Sequence, residues 1–254
     1  MSRNKKKRQF TQTLKQVNWY LCFGLLFLFS VLFGVAWAAY SLHELLNDAD
    51  ALPIEAVAVK GERKFTTDEE IQLALQSMLE DSFFSADVMD VQRALEGLPW
   101  VYHASVRREW PAKFKVTLQE QQAAAHWNGE SWVNVNGEVF DALAHPEVER
   151  LPLLQGPEDS AKEVLTAYQQ LNELLSINGF KLASLHLSPR HAWFAELENG
   201  IKIELGREDK MSRIQRFINV YPTLKQADKT IEKIDLRYDT GFAVAWQKTN
   251  KESR

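Results

Sequence analysis

Residues 19–40 read WYLCFGLLFLFSVLFGVAWAAY, a run of 22 positions without a single charge. A helix rising ~1.5 Å per residue covers ~33 Å over that length, about the thickness of the hydrocarbon layer of a bilayer. The run therefore predicts a membrane span over 19–40. Trp19, Tyr20, Trp37 and Tyr40 bracket it, where interfacial aromatic residues belong. Ala36-Trp37-Ala38 has the small-x-small outline of a signal-peptidase site. The apolar run is longer than a typical signal core, which favours an uncleaved anchor. Arg3, Lys5, Lys6, Lys7, Arg8 and Lys15 precede the run with no acid among them, and Glu44, Asp48 and Asp50 come after it. By the positive-inside rule the tail at 1–18 is cytoplasmic and everything after the span is exported.

Charge divides along the same line. The net charge of −4 combines 30 Lys+Arg with 34 Asp+Glu, and the tail holds six of the bases. The chain beyond the span therefore carries about −10, which argues against nucleic acid as a partner because phosphate binding needs a basic surface. The basic tail itself suits topology and attraction to anionic membrane lipid. Cys22 is the one cysteine. With no intramolecular disulfide available, the exported part must be held by its own core.

Beyond a polar spacer at 41–52, the chain predicts strand, helix, helix, strand, strand. Ile54 to Val59 is a short β-branched run closed by Gly61. Thr66 or Thr67 with Glu69 or Glu70 has the spacing of a capping box, and Ile71, Ala74, Leu75, Met78 and Leu79 continue at helical period. A second helix fits Asp87 to Glu96 with Gly97 as its stop. Strands then fit Val101 to Trp110 and Lys113 to Gln119, the latter alternating Phe114, Val116 and Leu118 against Lys113, Lys115 and Thr117.

From Ala123 the texture is strand and turn. Asn128-Gly129, Asn136-Gly137 and Asn199-Gly200 each lie between apolar stretches and predict tight hairpins. Ser160 with Glu163 predicts a capped helix ending at Asn178-Gly179, and a further helix runs from about Asp209 to Pro222. Ile231 to Tyr238 and Phe242 to Gln247 are the last strands, and 248–254 is a polar tail. The fold class is thus α+β: one transmembrane helix, a βααββ domain over 53–121, and a β-rich domain of antiparallel strands with flanking helices over 122–247. A closing strand with Phe242, Val244 and Trp246 on one side is a candidate apolar edge, and Trp246 suits either the core or an interface.

Catalytic chemistry finds no foothold. Asp239-Thr240-Gly241 is the tripeptide of aspartic proteases, but no second copy supplies the partner carboxylate, and Asp and Gly suit a hairpin turn. His43, His103, His126, His145, His186 and His191 fall in no metal-ligand spacing, and neither a G-x-S-x-G nor a phosphate-cradling glycine cluster occurs. No metal, cofactor or small-molecule substrate is expected.

Several stretches carry a family resemblance: Val59-Lys60-Gly61-Glu62-Arg63, LPWVYHASVRREWP at 98–111, LPLLQGPEDSAKEVL at 151–165 and IDLRYDTGFAVAW at 234–246. In order and over nearly the whole chain, they resemble the FtsQ/DivIB family of bacterial cell-division proteins, of the Gram-negative type. Gln121-Gln122-Ala123 departs from the pattern, which commonly has a proline at this junction. The resemblance implies a POTRA domain followed by the family's β-domain, and a non-enzymatic scaffold in the inner membrane at the division septum. It implies FtsB and FtsL as partners, with FtsB adding a strand beside the last strand of the β-domain. Carried onto this sequence, the partner-binding residues are Arg190, Arg237, Tyr238, Thr240, Gly241, Phe242, Val244 and Trp246. Tyr238 and Trp246 would be aromatic anchors, and Gly241 would let the partner backbone approach. A single-pass component of a secretion or transport system is the alternative, because POTRA domains also occur there.

Overall fold

A computed structural model describes residues 19–47, 56–76, 78, 83, 86–227, 229–238 and 240–247. The basic tail, residues 48–52 of the expected spacer, the start of the first expected strand, Asp239 and the polar C-terminal tail lie outside the described residues. Helix α1 spans Trp19–Asn47. Its stretch Trp19–Leu46 is the one helix among the described residues long and apolar enough to cross a membrane, and none of its most apolar window is buried within the protein. The helix runs seven residues past Tyr40, so the spacer begins as helix. Leu42, Leu45 and Leu46 favour that state, and no Gly or Pro interrupts them.

The chain forms two compact units. In the first, β1 (Ala56–Lys60) is followed by α2 (Asp68–Leu75), α3 (Val88–Glu96), β2 (Val101–Glu109) and β3 (Lys113–Glu120). The sheet order is β1-β3-β2, with β1 parallel to β3. Asp87 stands just before α3 and its carboxylate accepts the Met89 amide at 2.8 Å, satisfying one of the helix's open donors. Ile71 and Leu75 of α2 and Val91 and Leu95 of α3 are buried, as are Ala104, Val106, Phe114 and Val116 of the strands. The helical and alternating periods both point into this one small core.

The second unit takes in 62–67 and 96–103 with everything from Leu118 onward. Its strands are β4 (Ala123–Trp127), β5 (Ser131–Asn134), β6 (Val139–Phe140), β7 (Leu153–Gln155), β8 (Leu182–Leu187), β9 (Trp193–Leu197), β10 (Lys202–Gly206), β11 (Ile231–Asp235) and β12 (Ala243–Trp246). Helix α4 (Ala161–Ile177) lies between β7 and β8, and α5 (Lys210–Lys225) between β10 and β11. The nine strands join in the order β12-β11-β10-β9-β8-β7-β4-β5-β6. The sheet is not antiparallel throughout: β4 with β7, β7 with β8, and β10 with β11 are parallel. Helix-bearing crossovers bring the chain back in the same direction from β7 to β8 and from β10 to β11, and the longer connection through β5 and β6 does so from β4 to β7. Val164, Leu171 and Leu175 of α4 and Ile214 and Phe217 of α5 share one core with Leu154, Leu185, Ala195, Ile203 and Ile234 of the strands.

All three Asn-Gly pairs fall in turns between consecutive strands, with Gly129, Gly137 and Gly200 at positive φ. Gly179 (φ 79) closes α4, its N–H and that of Phe180 bonding back to Ser176 and Leu175, the Schellman arrangement. Beyond α1, three helix boundaries differ from the sequence reading. Helix α2 stops at Leu75 although the apolar period continued to Met78, which lies in a turn, and to Leu79, which is outside the described residues. Ser160 does not cap α4 with its hydroxyl, because a 3₁₀ turn at Glu158–Ser160 precedes the helix and Ser160 Oγ donates to Pro157 O at 2.6 Å. Pro222 does not end α5, which continues to Lys225. Tyr221 and Leu224, packed against the core, hold the last turn although Pro222 has no N–H to give it.

Candidate partner-binding edge

Among the described residues, strand β12 is the last in the sheet order, bonded to β11 alone. Its register with β11 runs from Ala243 opposite Asp235 to Trp246 opposite Ile231, with an irregularity between Ile231 and Lys233. The Gln247 amide donates to Thr230 O. Amides alternate direction along a strand, so those of Val244 and Trp246 point the other way, toward the open edge.

The side chains of Phe242, Val244 and Trp246 alternate onto the sheet's core side and pack, half-buried, against the core. Ala243 and Ala245 are exposed on the opposite face. Trp246, read from sequence as an aromatic anchor, is thus half engaged in fixing β12 to its own unit. Tyr238 is 57% exposed, and Thr240 beside it is exposed as well. A Cβ on Gly241 would meet nothing within 4 Å, and its φ is not positive. Conformation does not demand a glycine there, and the space above it is open.

Arg237 is held by its own unit. Its guanidinium grips Asp235 with Nε and Nη2 contacts of 2.9, 3.1 and 2.7 Å and approaches Glu204 at 3.3 Å, while Lys233 pairs with the same Glu204. The Arg237 hydrogen bonds hold the Asp235 carboxyl below the usual range, and Asp235 in turn raises the arginine. Arg190 lies in the turn at 188–191 between β8 and β9, where the His191 amide donates to Ser188 O and His191 takes a positive φ of 56°. Trp193 pairs with Gly206, and β10 runs parallel to β11. Arg190 therefore belongs to the same end of the sheet as Arg237, Tyr238, Thr240 and Phe242, with β10 and β11 lying between its turn and β12. Trp246 is at the far end of β12.

Two arginines of α5 complete the edge and were not legible in the sequence. Arg216 Nη1 donates to Tyr238 O at 2.6 Å and to Gly241 O at 2.9 Å, so it ties together both arms of the β11–β12 turn. Arg213 is buried and donates to Leu205 O. It fills the space beside Gly206, whose φ of 71° favours glycine. Carbonyl acceptors leave no mark in a sequence, and the only hint was two arginines three apart on a helix.

An apolar helix fit to span a membrane, a small βααββ unit and a β-rich unit ending on an edge strand define a single-pass protein of the POTRA type. Residues 52–121 match the family model "POTRA domain, FtsQ-type", and residues 125–237 match "Cell division protein FtsQ/DivIB, C-terminal". The cell division protein FtsQ of Shewanella oneidensis is 63% identical over 246 residues, covering 97% of this chain and 94% of the relative. Those of Escherichia coli K12 (36% identical; 88% and 83% covered) and Vibrio cholerae (35%; 91% and 89%) are similar over nearly the same extent. The chain belongs to the FtsQ/DivIB family of cell division proteins.

Proposed function

We propose that this chain is a non-enzymatic scaffold of the septal division machinery that docks FtsB, together with FtsL, through the free edge of β12. Helix α1 anchors it in the inner membrane with the N-terminus in the cytoplasm. The boundary between its POTRA domain and its β-domain falls at 121/122. The observation that carries this reading is the edge itself: a short terminal strand with one neighbour, open amides at Val244 and Trp246, and Tyr238, Thr240 and Gly241 presenting an accessible turn. Unpaired strand amides and carbonyls are a template for an added strand, with main-chain bonds supplying affinity and alternate side chains supplying choice. Arg190 is the base at that end of the sheet suited to an acidic group on the partner, whereas Arg237 is already engaged by Asp235 and Glu204.

Titration of the full chain in nanodiscs with the periplasmic segment of its FtsB tests this. Tyr238→Ala, which removes an exposed ring, is expected to weaken binding at least tenfold, or ~1.4 kcal/mol, without moving the melting temperature. Trp246→Ala is expected to lose binding and also to lower the melting temperature, because the indole packs on the core. Unchanged affinity in the Tyr238 variant removes the site assignment.

A further inference from the structure

We propose that the β2–β3 hairpin tip, centred on Trp110, is a lipid-docking element that seats the POTRA unit on an anionic membrane surface. The inference rests on α1 spanning the membrane and is independent of what binds β12.

Trp110 is 76% exposed, an unusual position for the largest apolar side chain in a unit that has a core to offer it. It stands at the junction of β2 and β3, followed by Pro111 and Ala112. Along β3, Phe114 and Val116 turn inward to burial, which places Lys113 and Lys115 on the outer face, and Arg107 is exposed near the end of β2. Arg108, by contrast, is turned toward the unit, donating to Ala86 O at 2.5 Å and lying over the Phe83 ring. The tip thus presents one indole with Arg107, Lys113 and Lys115 around it and Glu109 as the opposing charge. This local surplus of base occurs in a region after α1 that carries about −9. An indole among lysines and arginines is the composition of an interfacial membrane contact.

The register says which end of the unit this is. β1 is the first strand after α1, and its first residue, Ala56, pairs with Lys113, the first residue of β3. Nine steps along the chain separate Asn47 from Ala56, a reach of at most about 32 Å. The tip therefore lies at the tethered end of the sheet, within one short linker of the span, and the charge it carries complements anionic lipid rather than an acidic protein far from the bilayer.

The test uses the full chain with Cys22→Ser and a single reporter cysteine, Ala112→Cys, carrying an NBD fluorophore. It is placed in nanodiscs of phosphatidylethanolamine and phosphatidylglycerol that contain headgroup spin-labelled lipid. A reporter at Glu130→Cys, in the β4–β5 turn, is the control. Strong quenching at 112 but not at 130 is expected, falling in phosphatidylcholine discs and in 1 M salt, where screening shortens to ~3 Å. Lys113→Glu keeps the indole and reverses one charge, and the docked-to-undocked ratio should fall more than roughly fivefold, the effect of losing one basic residue at an anionic surface. Trp110→Ala should reduce it further, with the melting temperature as a check on folding. Equal quenching at 112 and 130 overturns the proposal. So does quenching at 112 that is indifferent to lipid charge and to both substitutions.

Discussion

Glu120, at the end of β3, accepts three backbone N–H groups in succession: Lys64 at 2.7 Å, Phe65 at 3.1 Å and Thr66 at 2.6 Å. Burial opposes its ionisation, but the donors of Lys64, Thr66 and Phe65 outweigh burial and hold the carboxyl below its ordinary value of 4.5. A depressed carboxylate contributes stability that is complete above that ordinary value and disappears as pH falls through the lower folded value. Glu120→Ala leaves three amides to water and is expected to cost about 1.5 kcal/mol near neutral pH, the low end for hydrogen bonds to a charged group. In thermal melts of the full chain, the gap between variant and wild type should hold from neutral pH down to about 5 and close at more acid pH. A gap independent of pH would mean that the carboxylate is not what holds the 64–66 segment. Nothing in the sequence marked Glu120, because its partners are backbone amides more than fifty residues away.

Among the elements, those written in local chemistry were legible and those set by tertiary packing were not. Gly129, Gly137, Gly179 and Gly200 at positive φ mark their turns and cap because few other residues adopt that conformation. The alternation of β3 and the apolar period of α4 were equally plain. By contrast, the run of α5 past Pro222 depends on Tyr221 and Leu224 finding the core, and the parallel pairing of β10 with β11 depends on where α5 returns the chain. At the candidate edge, the terminal strand could be anticipated from the apolar closing run, whereas Tyr238 and Thr240 were named only by the family resemblance. Trp246, sharing a side with Phe242 and Val244, could be read as core or interface, and it packs against the core; the support from Arg216 could not be anticipated. Arg216→Ala removes the donor shared by Tyr238 O and Gly241 O without touching β12's open amides. It is expected to weaken partner binding about tenfold, or ~1.4 kcal/mol, by loosening the turn, while the melting temperature moves by less than about 4 °C. Affinity equal to wild type would show that the turn is held without it.

At the scale of the molecule, the chain joins a helix fit to span a membrane to two compact units. On the two proposals above, the basic indole tip of the first unit meets lipid and the strand edge of the second meets protein. A strand added along the free edge of β12 is read, residue by residue, in amide exchange. With the full chain in nanodiscs, adding the periplasmic segment of FtsB should slow exchange at Val244 and Trp246, whose amides face the open edge. It should change Gln247 little, because that amide is already bonded to Thr230 O. Tight binding that leaves Val244 and Trp246 exchanging as before would contradict the account and move the partner to a different surface.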